Sequence, residues 1–158
     1  MKRNLLISFL ALVATIILMW WQESALVTPQ SPKGIIDLEF AKTPAKLQQL
    51  QFFWNHETVL QNIYLDFLFI AAYTWFLFTA CKAVKNSESN LFSGLTVSAA
   101  AFDVLENFLM ILVWNERFSP AILQVVFYVA ATKFFLIVIV IGYLILSLFG
   151  LFKRESVL

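Results

Sequence analysis

Apolar positions along the chain gather into four long runs, at about 5–21, 59–81, 91–114 and 121–149, separated by polar stretches. Each run is close to the roughly 20 apolar residues that a helix needs to cross a bilayer. No spacing of turn signals around alternating positions suggests strands. The pattern predicts an all-α fold, a four-helix transmembrane bundle, with residues 1–158 forming a single integral membrane domain. The short links at 82–90 and 115–120 make the second, third and fourth helices antiparallel neighbours, and Ser119-Pro120 marks the start of the fourth. Lys2 and Arg3 precede the first run, as in a secretory signal. That run is longer than a signal core, though, and ends in Trp20-Trp21 without a small-x-small cleavage site, so a retained anchor is expected.

The one large extramembrane piece is the loop 22–58. Residues 28–33 form a Pro- and Ser-containing connector. Ile35-Ile36-Asp37-Leu38-Glu39-Phe40 alternates only imperfectly and is expected to be an extended segment on the bundle mouth. Thr43-Pro44 has the form of an N-cap followed by proline at the first helical position. After it, Leu47, Leu50, Phe53 and Trp54 recur at helical spacing. This predicts a short amphipathic helix on the outer membrane surface or capping the bundle.

Charge sets the expected topology. With the N-terminus inside, the cytoplasmic side holds Lys2, Arg3, Lys82, Lys85, Lys153 and Arg154, against Lys33, Lys42, Lys46 and Arg117 outside. Trp20, Trp21, Trp54 and Trp114 then fall near the outer interface. Both termini are expected in the cytoplasm (N-in/C-in), with the loop and its helix extracytoplasmic. The expected location is the cell membrane as a multi-pass protein, the inner membrane in a bacterium.

Composition agrees with a lipid environment: 61% of residues are hydrophobic and only 13% charged. A net charge of +1 gives no electrostatic footprint for nucleic acid. The single cysteine, Cys81, leaves no internal disulfide, no Cys-x-x-Cys redox pair and no cysteine zinc site. The single histidine, His56, removes most metal and triad templates and, beside Trp54 and Asn55, suits a solvated or capping role. No metal site and no cofactor are expected.

Against this background the polar residues inside the runs stand out. Asn62, Asp66 and Tyr73 fall on one stripe of the second helix. Asp103, Glu106 and Asn107 share a face of the third, which also carries Thr96. The fourth carries Thr132 and Lys133. At 1.5 Å per residue, Asp66 lies roughly 10–12 Å below the outer end of its helix, Glu106 roughly 12 Å, Asp103 about 16 Å and Lys133 about 18 Å. Charges at such depth face a bundle interior or a watery cavity. One shared cluster in the outer half of the bundle is therefore expected. Three ionised carboxylates facing one ammonium leave an excess of two negative charges, so one or two acids are expected to hold protons, or a cation to bind. Tyr73 is expected to pack or to donate to the cluster, Asn62 and Thr96 to link helices, and Thr132 to bond its own backbone.

The segments Asp37-Leu38-Glu39-Phe40, Tyr64-Leu65-Asp66-Phe67, Phe102-Asp103-Val104-Leu105-Glu106-Asn107 and Thr132-Lys133 resemble those of small bacterial four-span membrane proteins of unknown function, a likeness that implies no activity. In architecture alone the chain is similar to sterol-isomerase and sigma-2-receptor-like membrane proteins. That likeness implies a carboxylate-lined pocket for amphipathic amines or sterols and carries no residue role.

The functional expectation is a buried acidic pocket that binds a small lipid-like, amphipathic or cationic ligand. Asp103 and Glu106 are the acid–base candidates if chemistry occurs there. Asp66, Asn107, Lys133, Tyr73 and Asn62 are the ligand-binding candidates. The residues leave two alternatives open: a proton- or ion-coupled transport component, and a non-catalytic subunit of a membrane complex whose charges fix packing. Membrane lipids, a second copy of the chain or a partner membrane subunit are the partners in view, and nucleic acid is not.

Overall fold

The computed structural model describes residues 2–115 and 120–149. Arg117, Ser119, Lys153 and Arg154, which enter the readings above, lie outside the described residues. Among the described residues the chain forms α1 (Lys2–Glu23), α2 (Ile36–Glu39), α3 (Pro44–Phe53), α4 (His56–Val84), α5 (Ser89–Trp114) and α6 (Pro120–Leu148). Extended pairing there is limited to one isolated bridge, Thr28 with Ser31. Four of the helices, α1, α4, α5 and α6, are long and apolar enough to cross a membrane. They form a bundle in which α1 runs along α4, α4 along α5 and α5 along α6. The helices extend a few residues past the apolar runs because polar residues close them. Asn55 caps α4 by accepting the Thr58 N–H at 3.2 Å, and Lys85 ends it in the left-handed region at φ 56°.

Two apolar clusters fill the bundle, one at each end. At the end that carries the 24–55 connection, Val59 and Ile63 of α4, Met110 and Val113 of α5, and Leu123 and Val126 of α6 are buried together. At the far end Ile70, Leu77 and Cys81 meet Ala100, Val140 and Tyr143. Small residues at the contacts, Ala72, Ala99, Ala100 and Ala130, let the helices approach closely. α1 is the most peripheral helix. Its buried residues are Ser8 and Thr15, and it presents Leu6, Leu10, Ile17, Trp20 and Trp21 outward.

The connection between α1 and α4 is part of the core. Leu26, Ile35, Leu38, Ala41, Leu47, Leu50 and Trp54 are all buried in the loop-end cluster. The Trp54 indole N–H donates to Leu26 O at 2.8 Å and Ser31 Oγ at 3.0 Å, tying both ends of the connection. α3 begins where the Thr43-Pro44 pair marks it: the Thr43 hydroxyl accepts the Lys46 N–H at 3.3 Å. It buries Leu47 and Leu50 and exposes Phe52 and Phe53. The stretch read as extended, Ile35 to Phe40, is instead helical, because 36–39 close a single turn. Imperfect alternation was a poor guide there. Ile35 and Leu38, three apart, both point into the core, as a helical turn requires.

Gly34 starts that turn at φ +58°, and a Cβ placed on it would lie 2.4 Å from Glu23 Oε1. The Glu23 carboxylate accepts the Ile35 N–H, so the closeness orients α2. Gly34→Ala is expected to destabilise the protein by about 1–2 kcal/mol, from the left-handed backbone alone, with displacement of Glu23 adding to it. Thermal unfolding of the purified protein in detergent measures this, and Gly94→Ala, where an added Cβ meets nothing within 4 Å, is the control.

Candidate functional site

Between the two apolar clusters lies a polar layer. α5 brings Asp103 and Glu106 to its inner face three residues apart, and α6 supplies Lys133. All three are buried, Glu106 completely so. Lys133 Nζ lies 2.7 Å from Asp103 Oδ1 and 2.7 Å from Glu106 Oε2. The Asp103 contact is an aligned hydrogen bond, whereas the Glu106 contact is a charge pair without hydrogen-bond alignment. Tyr73 of α4 donates its hydroxyl to the other oxygen of Asp103 at 2.9 Å. The layer thus joins three of the four long helices.

A fourth element enters it. α2 carries Glu39 inward to 3.4 Å from Lys133 Nζ, with Glu39 only 6% exposed. Burial pushes the Glu39 carboxyl above the ordinary glutamate range; the Lys133 ammonium pulls it back down and nearby Asp103 raises it further. Sequence reasoning missed Glu39 as a site residue. Its signal was present but local: in a helical turn, Glu39 follows the core residue Leu38 and sits one turn from Ile35.

Asp66 and Asn107 form an adjoining pair, the Asn107 amide donating to Asp66 Oδ2 at 2.8 Å. Asp66 makes no ion pair with Lys133 and is only partly buried. Asn62, one turn above Asp66, donates across to the Gln22 side chain of α1, and Gln22 in turn donates to Thr58 O at 2.7 Å. Asn62 therefore belongs to a tie between α1 and α4 at the loop end. The remaining polar residues are more ordinary. Thr132 donates to its own helix at Tyr128 O; Thr96 donates to Phe92 O in its own helix and its hydroxyl also meets the Cys81 thiol of α4, the expected link between helices. His56 opens α4 and stacks on Trp114 with ring centroids 6.0 Å apart.

Acceptors outnumber donors in this layer. Glu39 Oε2, Glu106 Oε1 and Asn107 Oδ1 are buried without a hydrogen-bond donor. A buried acceptor left in this state costs about 1–3 kcal/mol. Four carboxylates, those of Glu39, Asp66, Asp103 and Glu106, share the region with one ammonium. The arrangement can hold protons or take up a group that carries N–H or O–H donors, and Lys133 keeps part of the negative charge compensated meanwhile. Among the described residues no group of three or more His, Cys, Asp or Glu is placed to hold a metal ion. A separate cleft of about 290 Å³ opens at the loop end, lined by Gln51, Trp54, His56, Trp114 and Asn115, and none of the acids reaches it.

Compared with protein-family models, curated proteins and solved structures, the chain matches none.

Removing the one cation of the layer is expected to be severe. Lys133→Met strands three carboxylates in an apolar interior and should cost about 3–5 kcal/mol, the range for breaking a buried ion pair. Neutralising its partners as well, with Glu39→Gln, Asp103→Asn and Glu106→Gln added, should recover most of that loss. Unfolding midpoints of the single and quadruple variants in detergent test this, and a single variant as stable as the parent would show that the charges carry little of the fold.

Proposed function

We propose that the polar layer is the binding site of a small membrane-soluble ligand that supplies hydrogen-bond donors, a lipid-like or cationic amphiphile. Asp103 and Glu106 exchange a proton with it if chemistry follows. The observation that carries this reading is the set of orphaned acceptor oxygens Glu39 Oε2, Glu106 Oε1 and Asn107 Oδ1. A packing device has no need of unpaired acceptors, whereas an ammonium or hydroxyl group arriving between them would satisfy several at once. Lys133 holds Asp103 on one side, which leaves Glu106, with its Oε1 wholly unpartnered, as the better proton acceptor. Asp66, held by Asn107, is the second carboxylate. On the same reading the protein is a multi-pass protein of the cell membrane with both termini cytoplasmic. The basic residues Lys2, Arg3, Lys82 and Lys85 flanking the spans support that orientation.

A proton or ion pathway is the weaker reading. It requires polar groups through both ends of the bundle, yet the loop end is closed by Ile63, Met110 and Val126. Towards the far end, the buried positions of α5 between Asp103 and Thr96 are Ala99 and Ala100, a stretch of about 10 Å. A non-catalytic role, in which the charges only fix helix pairing, finds support in the way Lys133 ties α2, α5 and α6 together. The two readings differ in what they say of ligands.

A tertiary amine, an alcohol and a carboxylate of equal, twelve-carbon chain length separate them. At about a hundredfold over its dissociation constant, a bound amine should stabilise the protein by about 2.7 kcal/mol, the alcohol by less and the carboxylate not at all. Glu106→Gln should abolish the difference between amine and carboxylate. Equal effects of all three probes, unaltered in Glu106→Gln, would leave only the packing role.

A further inference from the structure

We propose that α2 is a lid that closes the Lys133 site and that Glu39 is its latch. The inference rests on the ligand reading only for what passes beneath the lid; the movement itself is a property of the chain. Glu39 is the weakest partner of Lys133, at 3.4 Å against 2.7 Å for Asp103 and Glu106, and its second oxygen is buried without a donor. The element that carries it is a single turn of four residues, Ile36–Glu39. That turn has a joint on either side. Gly34 precedes it at φ +58°, and Phe40 follows it with non-helical dihedrals, leading into Thr43 in extended conformation. Beyond the joints the loop is fixed. Trp54 binds Leu26 O and Ser31 Oγ, and Lys46 Nζ donates to Gln30 O at 3.0 Å. α2 is thus a short flap between two anchored posts.

Its seat is a set of side-chain contacts on one face of α6. Phe40 meets Phe127 edge-on at 5.5 Å and stacks on Phe134 at 6.0 Å, and Lys42 Nζ sits 3.6 Å from the Phe127 ring centroid. Phe127 and Phe134 are two turns apart, so the flap spans the part of α6 that carries Lys133. Apolar residues close the bundle towards both ends, so this flap is the cover whose removal exposes the acids without parting the long helices; opening it also uncovers its inner face of Ile35, Leu38 and Ala41. A cationic amphiphile gives Glu39 a new partner, so the latch that releases Lys133 can close again on the ligand through its free oxygen.

Hydrogen exchange on the full-length parent protein tests the movement without a ligand. The amides of Leu38 and Phe40, bonded within α2, should exchange at least tenfold faster than those of Leu47 and Trp54, which are hydrogen-bonded in the same buried core. Equal rates would overturn the lid. A thiol probe gives a second measure. Leu38→Cys should react with a small maleimide at least tenfold faster than buried Cys81, and adding Glu39→Gln should speed it several-fold further. Reaction no faster than that of Cys81, and unchanged by Glu39→Gln, would also overturn the proposal. The twelve-carbon amine then separates the two ideas. Fast α2 exchange that the amine slows supports both, while fast exchange indifferent to the amine keeps the lid and refutes the ligand reading.

Discussion

A single ammonium enclosed by an apolar bundle sets the terms for the rest of this structure. Lys133 cannot be buried unpaired, because the cost of taking an ion out of water is offset only by close counter-charges. Asp103 and Glu106 provide them at 2.7 Å from one turn of α5, which fixes the rotation of α5 against α6. Tyr73 holds the free oxygen of Asp103 and brings α4 into the same register. The third carboxylate comes from outside the bundle, on the 24–55 connection, which is folded by its own buried apolar residues and by the Trp54 hydrogen bonds. To deliver Glu39, α2 must sit against α5 and α6, and the apolar residues around it, Ile35, Leu38 and Ala41, are buried as it does so.

The bundle is consequently layered. Apolar clusters lie at both ends and the charges between them, in a region where water is scarce and each unpaired group is expensive. Layering gives the polar residues a strong mutual dependence, since none can ionise or change partners without altering the field on the others. It also explains why Asn107 and Asp66 pair with each other beside the lysine cluster. The amide is a neutral donor that keeps a second carboxylate in place without adding charge.

Much of this was legible in the chain. The four apolar runs, the shared face of Asp103, Glu106 and Asn107, and the depth of Lys133 follow from helical period and rise, which are local properties. The α3 start at Thr43-Pro44 was equally plain, because capping chemistry is local too. Glu39 was not legible as a member of the cluster. Its segment is too short for periodicity to separate a helical turn from an extended strand, and its burial depends on Lys133, 94 positions away. Asn62 links helices as expected, but its partner was not legible, for a related reason. Stripe membership with Asp66 says which face it occupies, but the partner it chooses, Gln22, lies on another helix beyond the reach of a one-helix pattern.

The partition between strong and weak contacts is what gives the layer a direction. The tight pairs, Lys133 with Asp103 and Glu106, join the two helices that pack most extensively, so loosening them means opening the bundle. The longer Glu39 contact joins the bundle to a four-residue turn, so loosening it costs one longer charge contact, a few ring contacts and the burial of Ile35, Leu38 and Ala41, but leaves the packing of α5 on α6 in place. The orphaned acceptors lie on the same cluster: Glu39 Oε2 and Glu106 Oε1 have no donor, whereas Asp103 is satisfied on both oxygens. A layer built only to lock helices together would gain by filling those acceptors with its own donors. Glu39 Oε2 is carried by the four-residue turn, so part of the cluster's unmet hydrogen-bonding capacity lies on the element that Lys133 holds least closely.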